Sequence, residues 1–292
     1  IILKNQLMSN KDLLNNVKKL RELTGVGFKD CKIAIEENNG DIEKSIEFLR
    51  KKGIAKASKK MGRNASEGLV LVHSEADAVS VIEINSETDF VAKNKDFLNF
   101  SKEISKINFK VLGDIEKIKN SIMENGKSVD DNLISLISKI GEKITIRRSK
   151  YFNKDGGNNY FYIHSAIEQN VGKIVSIVKV LNNDDKDLGQ KVAMHIAASS
   201  PLAIDSESLN KEIINKELEI IKAELINSGK KGDIAEKISK GKINKFISDN
   251  TLLNQIWIMD PKKRVSDILK ENKKKSDIKI IDFIRFKVGE GI

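Results

Sequence analysis

The sequence predicts an α+β fold, and three observations predict it. Apolar residues at helical spacing open the chain. Two apolar hairpins follow, each trailed by an amphipathic helix, which suggests two related subdomains with small antiparallel sheets. A late segment then steps its apolar residues as a coiled-coil seam does. The expected organisation is a three-helix module at 8–53, a basic linker at 54–66 and a first core subdomain at 67–150. A second core subdomain takes 151–208 and 251–292, and a helical hairpin at 209–250 interrupts it.

In the amino-terminal module, Leu13, Val17, Leu20 and Leu23 recur on one helix face, and Gly25 can supply a left-handed cap. A second helix runs from Lys29 to Asn38 and closes at Asn39-Gly40. Asp41 caps the third, where Ile42, Ile46 and Leu49 share a face, and Gly53 is expected to stop it. Residues 54–66 lack a long apolar stripe and read as a partly helical, basic linker. Gly68 to His73 and Val79 to Ile84 form the first hairpin, turning at Ser74 to Asp77. Helices follow at Lys95 to Ile107 and Val129 to Ile140, then a strand at Lys143 to Lys150. Tyr160 to Ile167 and Lys173 to Leu181 form the second hairpin, with Glu168 to Gly172 at the turn and a helix at Asp187 to Ser199. Ile214, Leu218, Ile221 and Leu225 step by 4, 3 and 4. Gly229 to Gly232 is the turn, Ile234, Ile238 and Phe246 return, and Ile278 to Val288 is the final strand.

At 292 residues and 39% apolar content the chain can bury sizeable cores. No run reaches the roughly 18 apolar residues that a membrane helix needs. One cysteine, Cys31, excludes an internal disulfide framework and fits a reducing compartment. Met8 reads like a natural start, so residues 1–7 are expected to be upstream sequence, and no secretory or transit segment is expected. Net charge is +10. Residues 1–64 hold 15 Lys and Arg against 8 Asp and Glu, a net +7. That imbalance suits nucleic acid or steering onto an acidic protein partner. Only 5% of residues are aromatic, which leaves few platforms on which single-stranded RNA could stack.

Reactive chemistry is not apparent. His73, His164 and His195 are scattered without metal-ligand spacing, and no second cysteine accompanies Cys31. Gly126-Lys127-Ser128 looks like the end of a phosphate loop. Ser121 stands where that motif needs glycine, however, and a helix precedes it rather than a strand. No catalytic residue, cofactor or metal is expected.

The segment that attracts attention is Ser86-Glu87-Thr88-Asp89-Phe90-Val91-Ala92-Lys93-Asn94, between an apolar strand and a helix. Thr88 and Asp89 are residue types that cap helix starts. From spacing alone, Phe90 at such a corner reads as local core. The alternative is an exposed wedge beside a carboxylate, suited to binding a partner.

This segment resembles the Thr-Asp-Phe-Val signature of the bacterial elongation factor Ts family, nucleotide exchange factors for elongation factor Tu. Other segments agree in the family's order: Leu20 to Gly25 with Asp30-Cys31-Lys32; Asn39 to Glu43; Ile140-Gly141-Glu142 with Ile146-Arg147-Arg148; Ala193 to Ser199 with Pro201; and Phe283 to Phe286 through Gly291. The resemblance implies that the three-helix module is ubiquitin-associated-like and that the helical hairpin is the family's coiled-coil insertion. It implies binding to GDP-bound and nucleotide-free elongation factor Tu, with GDP released by disturbance of the magnesium and phosphate site. Phe90 would be the wedge, Asp89 would orient it by hydrogen bonding, and Thr88 and Val91 belong to the same contact. Lys32, Ile140, Gly141, His164, Ile258 and Met259 match further partner contacts. Each has a plainer reading: a solvated lysine, a helix end and its cap, a sheet histidine, and packing at the base of the hairpin. Trp257 is bulkier than the family pattern, and His195 and Ala197 suit the core. The family usually continues past Gly-Glu-Gly with a short helical module. A chain ending at Ile292 is expected either to lack it or to be truncated.

The implied setting is the bacterial cytoplasm rather than an organellar matrix. Either a homodimer or a two-plus-two complex is compatible with the helical hairpin. Two other readings compete. An RNA- or ribosome-binding protein would act through the basic amino-terminal region. A generic adaptor would bind another protein through residues 1–64 alone.

Overall fold

A computed structural model describes residues 10–24, 26–229 and 232–292. Met8 and Gly25 lie outside the described residues, as do the middle two residues of the expected 229–232 turn. The fold is α+β, and it divides into two compact units. The first holds residues up to 71, 81–150 and 288–292, and the second holds 72–80 and 151–287.

The first unit opens with α1 (Asn10–Thr24), α2 (Phe28–Glu37) and α3 (Ile42–Lys60). Val17, Leu20, Val26, Cys31, Ala34, Ile35 and Leu49 form their common core, with Ile42 and Ile46 packed against it. Leu23, expected on that face, is 56% exposed instead. The Asp41 carboxylate caps α3 by accepting from the Lys44 N–H. Gly53 does not stop α3, which runs on to Lys60. A glycine inside a helix costs only about 1 kcal/mol, and here α3 packs on the later helix of 129–140, with Ile134 and Ser138 next to Gly53.

The chain then forms the hairpin β1 (Glu67–Glu75) and β2 (Ala78–Ser86). Only Ala76 and Asp77 turn it, both at positive φ, as a two-residue primed turn requires. Every residue of β2 is buried. After it come α4 (Asp89–Ala92), α5 (Lys95–Lys110), α6 (Ile115–Asn120), α7 (Val129–Ile140) and β3 (Ile144–Phe152). Asn94, Asp114 and Ser128 cap α5, α6 and α7 through their side chains. Ser128, the residue that mimicked a phosphate-loop end, is thus a helix cap. In the first sheet the strands lie in the order β3-β2-β1-β5.

The second unit contains β4 (Asn158–His164), β5 (Val171–Gly172), β6 (Ile174–Leu181), α8 (Lys186–Ser199), α9 (Lys211–Asn227), α10 (Gly232–Asn250), α11 (Val265–Glu271) and β7 (Lys279–Lys287). Strands β4, β6 and β7 form an antiparallel sheet in that order, with Tyr160 opposite Val178 and Val178 opposite Phe283. Residues 168–172 are more than the expected turn. Val171 and Gly172 form a short strand, and the Val72 N–H donates to the Asn170 carbonyl beside it. Helix α8 lies on the sheet, and Tyr160, Val178, Val180, Leu188, Val192, Ile196 and Trp257 share its core. Any Cβ at Gly189 would overlap the Tyr160 ring, 2.2 Å from Cγ, so this glycine is what lets α8 approach β4. In the hairpin of α9 and α10, Ile221 and Leu225 are buried on the seam, whereas Ile234 faces solvent.

Candidate functional site

The end of β2 leads through Ser86, Glu87 and Thr88 into α4, a helix of one turn. Successive residues on a helix diverge by about 100°. Burying Val91 and Ala92 therefore turns Phe90 outward, and its side chain is 78% exposed. The core reading that spacing favoured for Phe90 is overturned. Val91 lies the other way: at 5% exposure it anchors the corner from inside. Asp89 stands beside Phe90 and pairs with Lys93 at 3.1 Å. Thr88 occupies the N-cap position with extended backbone, but its hydroxyl does not cap α4.

That hydroxyl donates instead to Glu142 Oε1 at 2.7 Å, while the Thr88 N–H donates to Glu142 Oε2 at 3.0 Å. A reciprocal tie runs the other way. Glu87 Oε1 accepts from the Lys143 N–H at 2.6 Å, and Arg63 reaches the same carboxylate. Burial pushes the Glu87 carboxyl up, but the Lys143 N–H and the Arg63 charge outweigh it and hold it below its ordinary value. The end of α3 joins in. Lys60 Nζ donates to the Gly141 carbonyl, and Lys143 Nζ to the carbonyls of Met61 and Arg63 at 2.7 and 2.8 Å. Sequence reasoning missed Glu87, Glu142 and Lys143 as parts of this site. The only signal was that the two motif segments each contain a glutamate where a chain segment changes direction.

Ile140 and Gly141 end α7 within this network. Gly141 adopts φ +88° and donates its N–H to the Ile137 carbonyl, a left-handed cap, and Ile140 beside it is half-buried. The Thr88–Glu142 link therefore brings Thr88, Asp89, Phe90, Ile140 and Gly141 to one corner. Lys32 is not part of it. It lies on α2, exposed and 3.6 Å from Glu36, beside a small apolar groove lined by Leu13, Leu14, Val17 and Phe28.

The second unit holds the other three candidates. His164 is exposed at the end of β4, with the Tyr162 hydroxyl 3.4 Å from Nδ1. Ile258 and Met259 are 41% and 40% exposed on a turn that is pinned from beneath. Trp257 points inward and stacks on the buried His195 at 5.2 Å and 18°. The Ile258 N–H approaches His195 Nδ1 at 3.4 Å, so that nitrogen accepts and Nε2–H donates to Gln255 Oε1 at 3.0 Å. The Gln255 amide in turn donates to the carbonyls of Ser199 and Asp249. Desolvation pushes the His195 pKa down, which keeps the ring neutral. Ile256, 61% exposed on the same turn, extends the apolar surface and was missed, because nothing in its spacing separates it from Trp257.

Among the described residues no group of three or more His, Cys, Asp or Glu side chains is placed to hold a metal ion. No described helix is long and apolar enough to cross a membrane. The arrangement offers surfaces and an exposed aromatic projection.

The family model for Elongation factor TS matches residues 87–290, from the corner to the last glycine-rich turn. Elongation factor Ts of Rickettsia prowazekii (strain Madrid E) is 41% identical over 285 residues, covering 94% of this chain and 91% of that protein. Those of Xanthobacter autotrophicus and Gluconobacter oxydans are 41% and 38% identical, each covering 94% of this chain and 92% and 91% of their own lengths. With most of its length matched by the family model and by these relatives, the chain belongs to the elongation factor Ts family.

Proposed function

We propose that the chain is a guanine nucleotide exchange factor of translation elongation: it binds elongation factor Tu and promotes GDP release by disturbing the magnesium and phosphate site. The observation that carries this reading is Phe90, a large aromatic left 78% exposed on a corner whose backbone is tied down on both sides. Exchange requires no reactive group. A factor that binds the nucleotide-free G protein more tightly than the loaded one weakens nucleotide binding by the same ratio. Phe90 wedges into the GTP-binding domain, and Asp89 exchanges its Lys93 partner for a donor on the G protein. Loss of the magnesium ion removes the charge that holds the diphosphate oxygens. Lys32, Ile140, Gly141, His164, Ile258 and Met259 supply further contacts with elongation factor Tu. The setting is the bacterial cytoplasm.

The test is release of a fluorescent GDP from bacterial elongation factor Tu with substoichiometric chain. The parent is expected to accelerate release catalytically. Phe90→Ala is expected to lower the acceleration about 30-fold or more, as loss of a hot-spot aromatic worth about 2 kcal/mol does. Equal acceleration by parent and variant would remove Phe90 from the mechanism. An RNA-binding reading predicts instead an affinity that falls steeply with salt and ignores Phe90.

A further inference from the structure

Helix α4 has too few residues to hold itself. Its four residues gain only a single turn, and one turn does not repay the entropy of its own nucleation. The Phe90 side chain is mostly in solvent, so packing does not orient it either. What fixes the corner is therefore the attachment of its backbone. Val91 and Ala92 anchor the inner side. On the outer side both donors of Thr88, N–H and hydroxyl, go to one carboxylate 54 residues away, that of Glu142. Charge-assisted bonds of this kind are roughly twice as strong as neutral ones. A threonine at an N-cap position ordinarily spends its hydroxyl on the helix it precedes. Here it is diverted to Glu142, so the Thr88 backbone is held from outside α4. The crossed tie from Glu87 to the Lys143 N–H fixes the 142–143 turn that presents this carboxylate.

We infer that Glu142 is the positioning residue of the wedge. Resting on the exchange reading above, it acts on the G protein through Thr88 by fixing the direction in which Phe90 leaves the corner. An aromatic whose backbone is already fixed before the encounter has less ordering entropy to forfeit on binding. Released from Glu142, the same side chain loses part of its effect without losing any contact atom.

A double-mutant cycle tests this. Glu142→Ala, Phe90→Ala and the double variant are compared in catalysed GDP release from elongation factor Tu, over a range of factor concentrations. Glu142→Ala is expected to raise the concentration for half-maximal acceleration about tenfold, the size of a lost preorganisation term. In the Phe90→Ala background it is expected to cost less than about twofold, because the wedge it positions is gone. Glu142→Gln, which keeps one acceptor oxygen for Thr88, is expected to fall between parent and alanine variant. Equal costs in both backgrounds would overturn the inference and make Glu142 either a direct contact or a general fold determinant. No cost in the parent background would overturn it as well.

Amide hydrogen exchange of the free chain supplies a readout that needs no partner. In Glu142→Ala, the Thr88, Lys93 and Asn94 amides, bonded to Glu142, Phe90 and Val91, are expected to lose protection while β2 keeps it. Loss throughout β2 would mean that Glu142 serves the fold at large, and retained protection at all three amides would mean that it does not hold the corner. If the parent fails to accelerate release at all, the exchange reading falls, and this measurement still decides whether Glu142 governs the corner.

Discussion

Phe90 and Val91 are adjacent apolar residues with opposite fates, and the difference separates function from stability. Phe90 gains little from folding because it stays in solvent, so Phe90→Ala is expected to change thermal stability by less than about 0.5 kcal/mol. Val91→Ala removes buried methyl groups and is expected to cost about 1–2 kcal/mol in urea unfolding. Gly189→Ala drives a methyl into the Tyr160 ring and is expected to cost at least about 1–3 kcal/mol by the same measurement. The corner was legible as a motif, with an aromatic beside a carboxylate between strand and helix. Which of the two apolar residues faced outward was not, because that depends on the phase of a single helical turn, and four residues carry no period. The diversion of the Thr88 hydroxyl was equally hidden, since its partner lies 54 positions further on.

The long elements could be read because their apolar periods repeat. Strands β2 and β6 and helices α5, α7 and α8 stand close to where alternation and helical spacing put them. Elements of low repetition were missed. Helix α6 is six residues long, and β5 is two residues that become a strand only by pairing with β1. Gly53 misled because a glycine weakens a helix by an amount that packing on α7 can offset. The turn at 254–259 shows how one element presents another. His195 on α8 is buried and neutral, and its Nδ1 accepts from the Ile258 N–H. Its folded pKa lies below the ordinary 6.5, so the unfolded chain binds the proton more readily. This contribution to stability is complete above about pH 6.5 and is lost as pH falls from there toward the lowered value. Thermal unfolding of the parent is expected to weaken between pH 7 and pH 5, and His195→Gln is expected to flatten that dependence. A parent and variant with parallel pH profiles would show that His195 does not titrate on unfolding.

At the scale of the molecule, the feature that spacing could not reveal is the fully buried Glu83 of β2. Its Oε1 accepts from the Gly289 N–H at 2.9 Å and from Asn85 at 3.0 Å, and Arg147 and Arg148 pair with the carboxylate at 3.0 and 2.6 Å. Arg147 also donates to the Glu290 carbonyl. Gly289 is required there, at φ +74°, because a Cβ would overlap the Ser66 carbonyl oxygen. Burial raises the Glu83 carboxyl, but the Gly289 N–H, Asn85 and Arg148 outweigh it and leave it below the ordinary 4.5. The stability this group adds is therefore present above that value and lost as pH falls through the lowered one. Glu83→Gln is expected to cost about 3 kcal/mol at pH 7, where two arginines lose their counter-charge, and much less near pH 3. Urea midpoints at the two pH values check it, and an equal loss at both would deny the charge its role.

The clasp at Glu83 also sets a schedule for synthesis. Gly289 lies 206 residues after the glutamate it caps. At about 5–20 residues per second, the ribosome needs roughly 10–40 s to supply it. The first unit begins to emerge before the second, yet its closing strap is translated after the whole of the second. A nascent chain must therefore carry a buried-to-be carboxylate through most of its own elongation, and the part made first is the part finished last.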